Sequence, residues 1–258
     1  MTLVESYLFV NAKALIRYNK ALKLRAFILY KTCIVIPVYN NPETIEDVVY
    51  AALKTKSTVI VVDDGSEPSV MLNIDEDASL YLLRHTPNKG KGEAILTGGR
   101  KAKELGFGSF FVVDGDGQHY PHEIENFITK DLEKCIVIGC RKFGDNVPGS
   151  SKFGRKFSNF WIWTETGLHL DDTQSGFRSY PVSVLDLPIE MRRYDFEIEI
   201  LVRHTWNGGC IEEVEIEVYY PKPEERVSHF DALKDNVRLS KLHSRLFFKN
   251  MLRFIGIK

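Results

Sequence analysis

Cysteine is sparse and unpaired in this sequence. Cys33, Cys135, Cys140 and Cys210 are scattered, and no two form a CxxC pair. That spacing excludes a zinc ribbon and a thioredoxin-type redox motif. A chain of 258 residues can bury a large core without covalent staples. The cysteines are therefore expected as buried or incidental thiols in a reducing cytoplasm. Long apolar runs are missing too, with none approaching the roughly 18 residues of a membrane span. Near the N-terminus, Lys13, Arg17, Lys20 and Lys23 interrupt any h-region of a signal peptide. Net charge is almost absent: 34 Lys and Arg meet 35 Asp and Glu, for −1 overall. A dedicated nucleic-acid binder would be basic, so that class is excluded. No GxGxxG follows the first expected strand, which disfavours a dinucleotide-binding oxidoreductase. No GxxxxGK[ST] occurs, which excludes a Walker A loop. Repeats and low-complexity tracts are also lacking.

What is present is an alternation of strand and helix patterns. The β-branched or apolar runs 33–38, 58–63, 79–84, 109–114 and 135–140 predict strands. Between them, helical spacing predicts helices over 43–54, 90–105 and 121–132, the last opening on Pro121. Further on, 151–166 and 195–206 read as helices, 171–180 as a polar loop entering a short strand, and 210–220 as a half-exposed strand. Residues 229–255 read as a long basic helix. This order predicts an α/β fold with a mostly parallel central sheet flanked by helices. Ligands in such sheets bind outside the carboxyl ends of the strands. Polar residues gather at those ends: Pro37-Val38-Tyr39-Asn40, Asp63-Asp64-Gly65-Ser66, Asp114-Gly115-Asp116-Gly117-Gln118 and Arg141. Four loops distant in the chain should line one crevice.

In Asp114-Gly115-Asp116 the two carboxylates are spaced i, i+2, so an extended segment turns both to one side. A divalent ion that also binds a diphosphate suits that pair, because Mg²⁺ takes one or two carboxylates plus phosphate oxygens. Gln118 adds a neutral oxygen. A solvated acidic turn is the competing reading. Asp63-Asp64-Gly65-Ser66 is either an Asp-Gly turn or a carboxylate acceptor for a nucleobase or ribose. Asn88-Lys89-Gly90-Lys91-Gly92 opens a helix and offers either anion contacts or a plain glycine turn. Arg141, Arg155, Arg178 and Arg226 lie in or beside loops and have the fork geometry for phosphate, although exposed arginine is also the norm. His229 is open to three roles: phosphate donor, base or helix cap.

Taken in order, IVIPVYNNPETIEDVV, VIVVDDGS, NKGKGEAILTGG, VVDGDGQHYPHEI, VIGCRKF and DTQSGFRSYP resemble the family-2 glycosyltransferases of GT-A fold. The likeness spans roughly residues 32–182. DGDGQH and QSGFR are similar to the dolichyl- or polyprenyl-phosphate mannose and glucose synthase branch. The tail, with YDFEIEILVRHTWNGG and RVSHFDALKDNVRLS, is similar to compact bacterial members without transmembrane helices.

The resemblance implies a divalent-metal-dependent, inverting transfer of a hexose from a UDP- or GDP-linked sugar to a polyprenyl-phosphate-type lipid. Pro37, Tyr39, Asn40, Asp63, Asp64 and Lys91 would hold the nucleotide sugar, with Asp114, Gly115, Asp116 and Gln118. Asp114, Asp116 and Gln118 would hold Mg²⁺ or Mn²⁺. Arg141 and Arg155, with Gln174 and Arg178, would meet the acceptor phosphate. Arg226, Ser228 and His229 would form a basic loop over the diphosphate. Asp116 and Arg141 carry the catalytic expectation. If the acceptor were a hydroxyl on a glycan, protein or lipid, Asp172 would be the candidate base. A non-catalytic nucleotide-sugar-binding module is the other alternative. One departure stands out: relatives usually carry Glu after Tyr-Asn, and here Asn41 follows Asn40.

The two ends differ from the body. In residues 3–29, Leu8, Leu15, Leu22 and Leu29 recur every seven. In the last helix, Arg238, Lys241, Arg245, Lys249 and Arg253 share a face. Residues 1–31 and 234–258 carry +5 and +6, leaving −12 on the remainder. The expected organisation is an N-terminal amphipathic extension over 1–31, a glycosyltransferase domain over 32–228 and a basic amphipathic helix over 229–258. Such helices pack on the domain or on a second subunit as a homodimer, or lie on a membrane surface. The location expected is cytoplasmic, at most peripheral on the inner face of the cytoplasmic membrane.

Overall fold

A computed structural model of the chain describes residues 31–74, 79–142, 149–219 and 232–255. In chain order the elements are β1 (Thr32–Val38), α1 (Ile45–Leu53), β2 (Val59–Asp63), β3 (Leu80–Arg84), α2 (Lys91–Glu104), β4 (Ser109–Val112), β5 (Cys135–Arg141), α3 (Gly149–Thr166), β6 (Arg178–Pro181), α4 (Phe196–Trp206), β7 (Cys210–Ile216) and α5 (Ala232–Phe254). Short 3₁₀ segments cover Pro121–Phe127 and Val182–Asp186.

The strands form one sheet in the order β3-β2-β1-β4-β6-β5-β7. Strands β1, β2, β3 and β4 pair in parallel, as do β5 and β7. Only β6 runs antiparallel, between β4 and β5. β1 and β2 are buried along their whole length, which accounts for their unbroken apolar runs. Each sheet face carries its own core. On one, Val35, Ile60, Phe110 and Ile138 pack with Ile95 of α2, Ile200 of α4 and Leu246 of α5. On the other, Ile34, Val61 and Phe111 pack with Val48 and Val49 of α1 and with Ile124 and Phe127. Helices thus cover both faces, and the architecture is that of a GT-A domain.

The chain moves outward from β1 to β2 and β3, then returns to β4 on the other side of β1. That reversal opens a crevice above the carboxyl ends of β1 and β4. Gly115 lies there, where a Cβ would stand 3.4 Å from the Pro37 carbonyl oxygen and 3.5 Å from the Val38 side chain.

Two expectations are corrected, and for the last helix one of the expected alternatives is observed. The segment after Pro121 is one 3₁₀ stretch, not a helix to 132. Ile124 and Phe127, three apart, already reach the core, and Lys130 N–H turns back to the Phe127 carbonyl. Cys135 and Cys210 are joined in a disulfide, leaving Cys33 and Cys140 free among the described residues. The partners are 75 residues apart in sequence, and only the β5–β7 register places them side by side. The last helix packs on the domain: Leu242 and Leu246 enter the core, and His243 Nδ1 meets Glu165 Oε1 at 2.9 Å. The N-terminal extension lies outside the described residues. No helix among those described is long and apolar enough to cross a membrane.

Candidate active site

The crevice has two chambers of about 520 Å³ each, which share Asn41, Asp116 and Gln118. One is lined by Pro37, Tyr39, Asp64, Asn88, Lys91 and Asp114, closed by Arg193 and Tyr194. The other lies over the start of α1, between Glu43, Asp47, His119, Tyr120 and Tyr219.

Asp114 leaves the ladder one residue beyond Val113, whose N–H still bonds the Val35 carbonyl at 3.1 Å. Lys91, the first residue of α2, sits 2.7 Å from Asp114 Oδ1 and 2.8 Å from Glu197 Oε1. Burial alone would lower the Lys91 pKa, but the two carboxylates outweigh it and hold the ammonium charged. Burial pushes Asp114 up; the Lys91 ammonium outweighs that and keeps it ionised. Asp116 has no such partner. Burial first, then the neighbouring Asp114 charge, push it up to about 6 despite the Gln118 N–H at 3.0 Å. His119 is buried against Phe177, and desolvation pulls it down to about 4, so its ring is neutral.

The QSGFR loop presses onto this pair. A Cβ built at Gly176 would collide with Asp114 Oδ2 and approach Lys91 Nζ to 3.1 Å. Glycine is required there by close approach. The loop is pinned from inside by Arg178, which is wholly buried and donates to the carbonyls of Ser175 (2.6 Å), Thr173 (2.8 Å) and Glu197 (2.6 Å). Arg178 is therefore not in the crevice, contrary to its expected acceptor role. Its guanidinium is spent on three backbone oxygens.

Asp63 and Asp64 divide their work. Asp63 is turned inward, accepting from Ser66 N–H (2.8 Å), Val70 N–H (3.2 Å) and Arg84 (3.2 Å). Burial would raise its pKa, but those donors win and hold it low. It shapes the turn and does not line either chamber. Asp64 does line the first chamber, its oxygens taking Lys89 N–H (2.9 Å), Gly90 N–H (2.8 Å) and His85 Nδ1 (2.6 Å). Asn40, at φ 49°, ties the β1 loop to the β2 loop: its N–H donates to Ser66 Oγ and its Oδ1 accepts from Glu67 N–H.

Arg141 grips Asp172 with both arms, Nε to Oδ2 at 2.7 Å and Nη2 to Oδ1 at 2.9 Å. Arg155 stands 3.6 Å from the same Oδ2 and donates to the Asp171 carbonyl. Two guanidinium groups thus share one carboxylate, and the Glu213 carboxylate accepts from the Asp171 and Asp172 N–H groups beside it. Asp172 is fully buried. Burial pushes its pKa up, but bonding to Arg141 and the charges of both arginines hold it below the usual carboxylate range. This placement does not suit the expected base: the group is inaccessible and already saturated. Gln174 lies against Gly154 in α3. Arg226, Ser228 and His229 lie outside the described residues.

Sequence reasoning passed over Gly176, Glu197, Arg193 and Tyr194. Gly176 sits in a motif that was noticed, but its contact with Asp114 is a tertiary fact. Glu197 reads as an ordinary helix-start residue until α4 is docked beside Lys91.

Among the described residues, no group of three or more His, Cys, Asp or Glu could hold a metal ion by itself. The donor set still fits a hard cation that takes its remaining ligands from a diphosphate: two carboxylates and an amide, all oxygen.

The fold is that of the GT-A glycosyltransferases, and the comparisons agree. The Glycosyl transferase family 2 profile matches residues 33–189, and the chain belongs to that family. It is 30% identical over 213 residues to a UDP-N-acetylglucosamine–dolichyl-phosphate N-acetylglucosaminyltransferase of Methanococcus voltae, covering 72% of this chain and 85% of that one. It is 30% identical over 197 residues to an undecaprenyl-phosphate mannosyltransferase of Micrococcus luteus, covering 70% and 81%. Glucosyl-3-phosphoglycerate synthase of Mycobacterium tuberculosis, solved with Mn²⁺, UDP and phosphoglyceric acid, superposes with a TM-score of 0.58 at 18% identity, covering 92% of this chain and 83% of that one. That likeness concerns the fold.

Proposed function

We propose that this protein is an inverting, metal-dependent glycosyltransferase that moves a hexose from a nucleoside-diphosphate sugar to a polyprenyl phosphate. The observation that carries the reading is the Asp114–Asp116 pair at the crevice floor. Two half-buried carboxylates stand where a diphosphate would lie, and burial first, then the charge of the first, push the second up to about 6.

The base and ribose would rest in the first chamber, against Pro37, Tyr39 and Asp64. Asp114, Asp116 and Gln118 would hold Mg²⁺ or Mn²⁺, which when bound neutralises charge on the departing diphosphate. Lys91 fixes Asp114 through its ion pair, so the carboxylate is pre-oriented before any ligand arrives. An acceptor oxygen attacks the anomeric carbon from the face opposite the diphosphate. The bond to the diphosphate breaks, and its electron pair leaves with that group. A phosphate acceptor is already anionic, so no base is required. Arg141 and Arg155 supply guanidinium groups of the kind that bind phosphate. The Methanococcus and Micrococcus relatives, both named for polyprenyl-phosphate acceptors, support this choice.

A hydroxyl acceptor would need a general base, and the candidate Asp172 is sealed between two arginines. The test compares nucleoside-diphosphate release from UDP- and GDP-sugars with polyprenyl phosphate and with soluble hydroxyl acceptors. Release only with the lipid phosphate supports the reading. Equal release with hydroxyl acceptors would overturn the acceptor, and donor binding without any release would point to a binding module.

A further inference from the structure

Among the described residues, two cations line the first chamber, Lys91 and Arg193, and they are held differently. Lys91 is spent: Asp114 and Glu197 take its ammonium at 2.7 and 2.8 Å. Arg193 is exposed, and among the described residues its guanidinium meets no carboxylate, carbonyl or hydroxyl. Its neighbour Arg192 is paired, Nε to Glu93 Oε2 at 2.8 Å.

The backbone beneath Arg193 is fixed. Glu93 N–H donates to the Arg192 carbonyl at 3.2 Å, which ties the segment to the first turn of α2. Arg193 N–H donates to Asp195 Oδ1, and Phe196 N–H donates to the Arg193 carbonyl, both at 3.2 Å. Gly90 lets the two segments touch. It sits at φ 100°, and a Cβ there would collide with the Arg192 carbonyl oxygen and stand 2.8 Å from Arg193 Cγ. The arginine stem thus lies against the residue that enters α2, whose N-terminal end also favours anions.

The charges around Arg193 define its ligand. A divalent ion on Asp114 and Asp116 would only match those two carboxylates, and Lys91 is matched by Glu197. Asp64 is met by Lys89 N–H, Gly90 N–H and His85. A nucleoside-diphosphate sugar would bring further negative charge, all of it on the diphosphate. Its base, ribose and a plain hexose are neutral. A guanidinium fork fits two phosphate oxygens, and Arg193 presents one that no carboxylate among the described residues has claimed.

We propose that Arg193 binds the diphosphate of the nucleotide donor, reaching it from the α2–α4 side of the chamber. This deepens the proposed reaction and rests on it for the donor only. The test titrates the full chain with UDP, GDP, uridine and guanosine in the presence of Mn²⁺, without acceptor. The wild type should bind at least one of the two diphosphates. R193Q should weaken that binding about tenfold or more at an unchanged melting temperature, and leave the affinity for the matching nucleoside as it is. Equal diphosphate binding by R193Q and the wild type would overturn the inference while leaving the proposed reaction standing. An equal loss for the nucleoside would overturn it as well, because Arg193 would then serve the base or ribose. If the wild type bound neither UDP nor GDP, the inference and the proposed donor would fall together.

Discussion

Asp116 is costly to ionise where it stands. Its pKa is raised from 3.8 to about 6 by burial and by Asp114. Above that pH the ionised, metal-free site costs stability, and the cost is absent once the group is protonated or removed. Asp116→Asn should therefore stabilise the metal-free protein at neutral pH by roughly 1–3 kcal/mol, read by chemical denaturation. The same variant should lose metal-dependent turnover and the melting-temperature gain that Mn²⁺ gives the wild type. Gly176→Ala tests the other side of the site. The new methyl must push Asp114 or the loop aside, and turnover should fall about a hundredfold with little change in melting temperature. Arg178→Met should instead act on stability, by about 3–5 kcal/mol, since three backbone carbonyls lose a buried partner. The carboxylate pair was legible in DGDGQ because its spacing is local. The inward turn of Asp63 and Arg178 was not, because both are decided by which backbone groups end up beside them. Asp63-Asp64 reads as two equal candidates until Ser66 and Val70 claim the first and Lys89 and Gly90 the second.

At the level of elements, the strands with unbroken β-branched runs, β1 and β2, were legible almost to the residue. Their burial on both faces leaves no polar position to confuse the pattern. The stretch after Pro121 was misread because Ile124 and Phe127 satisfy helical spacing for one turn and a 3₁₀ turn equally. Helix α5 was legible as amphipathic, and Glu190 ties its exposed edge to the domain through Arg245 and Lys249. Bonding to Lys249 first, then to Arg245, brings the Glu190 pKa down to about 2 against a burial effect of opposite sign. A depressed carboxylate contributes stability above its unfolded value of 4.5, lost as pH falls toward 2. Limited proteolysis within α5 should therefore accelerate between about pH 4.5 and 2 in the wild type. Glu190→Gln should show the fast rate already at neutral pH.

For the whole molecule, the near-zero net charge conceals an acidic body and basic ends, with the acidic crevice on one side and α5 on another. The parallel sheet with its β1–β4 reversal was foreseeable from the alternation of elements. The β5–β7 pairing was not, and with it went the disulfide: nothing local says that Cys135 and Cys210 meet. The proposed reaction is transfer of a sugar through the Asp114–Asp116 site. Its most direct measurement is mass spectrometry of lipid products after incubation with a panel of UDP- and GDP-sugars and polyprenyl phosphate, with Mn²⁺ or with chelator. A single hexosyl-phosphoryl-polyprenol, formed with Mn²⁺ and absent with chelator or in Asp116→Ala, is the expected result. Full product formation by Asp116→Ala, or in chelator, would contradict it.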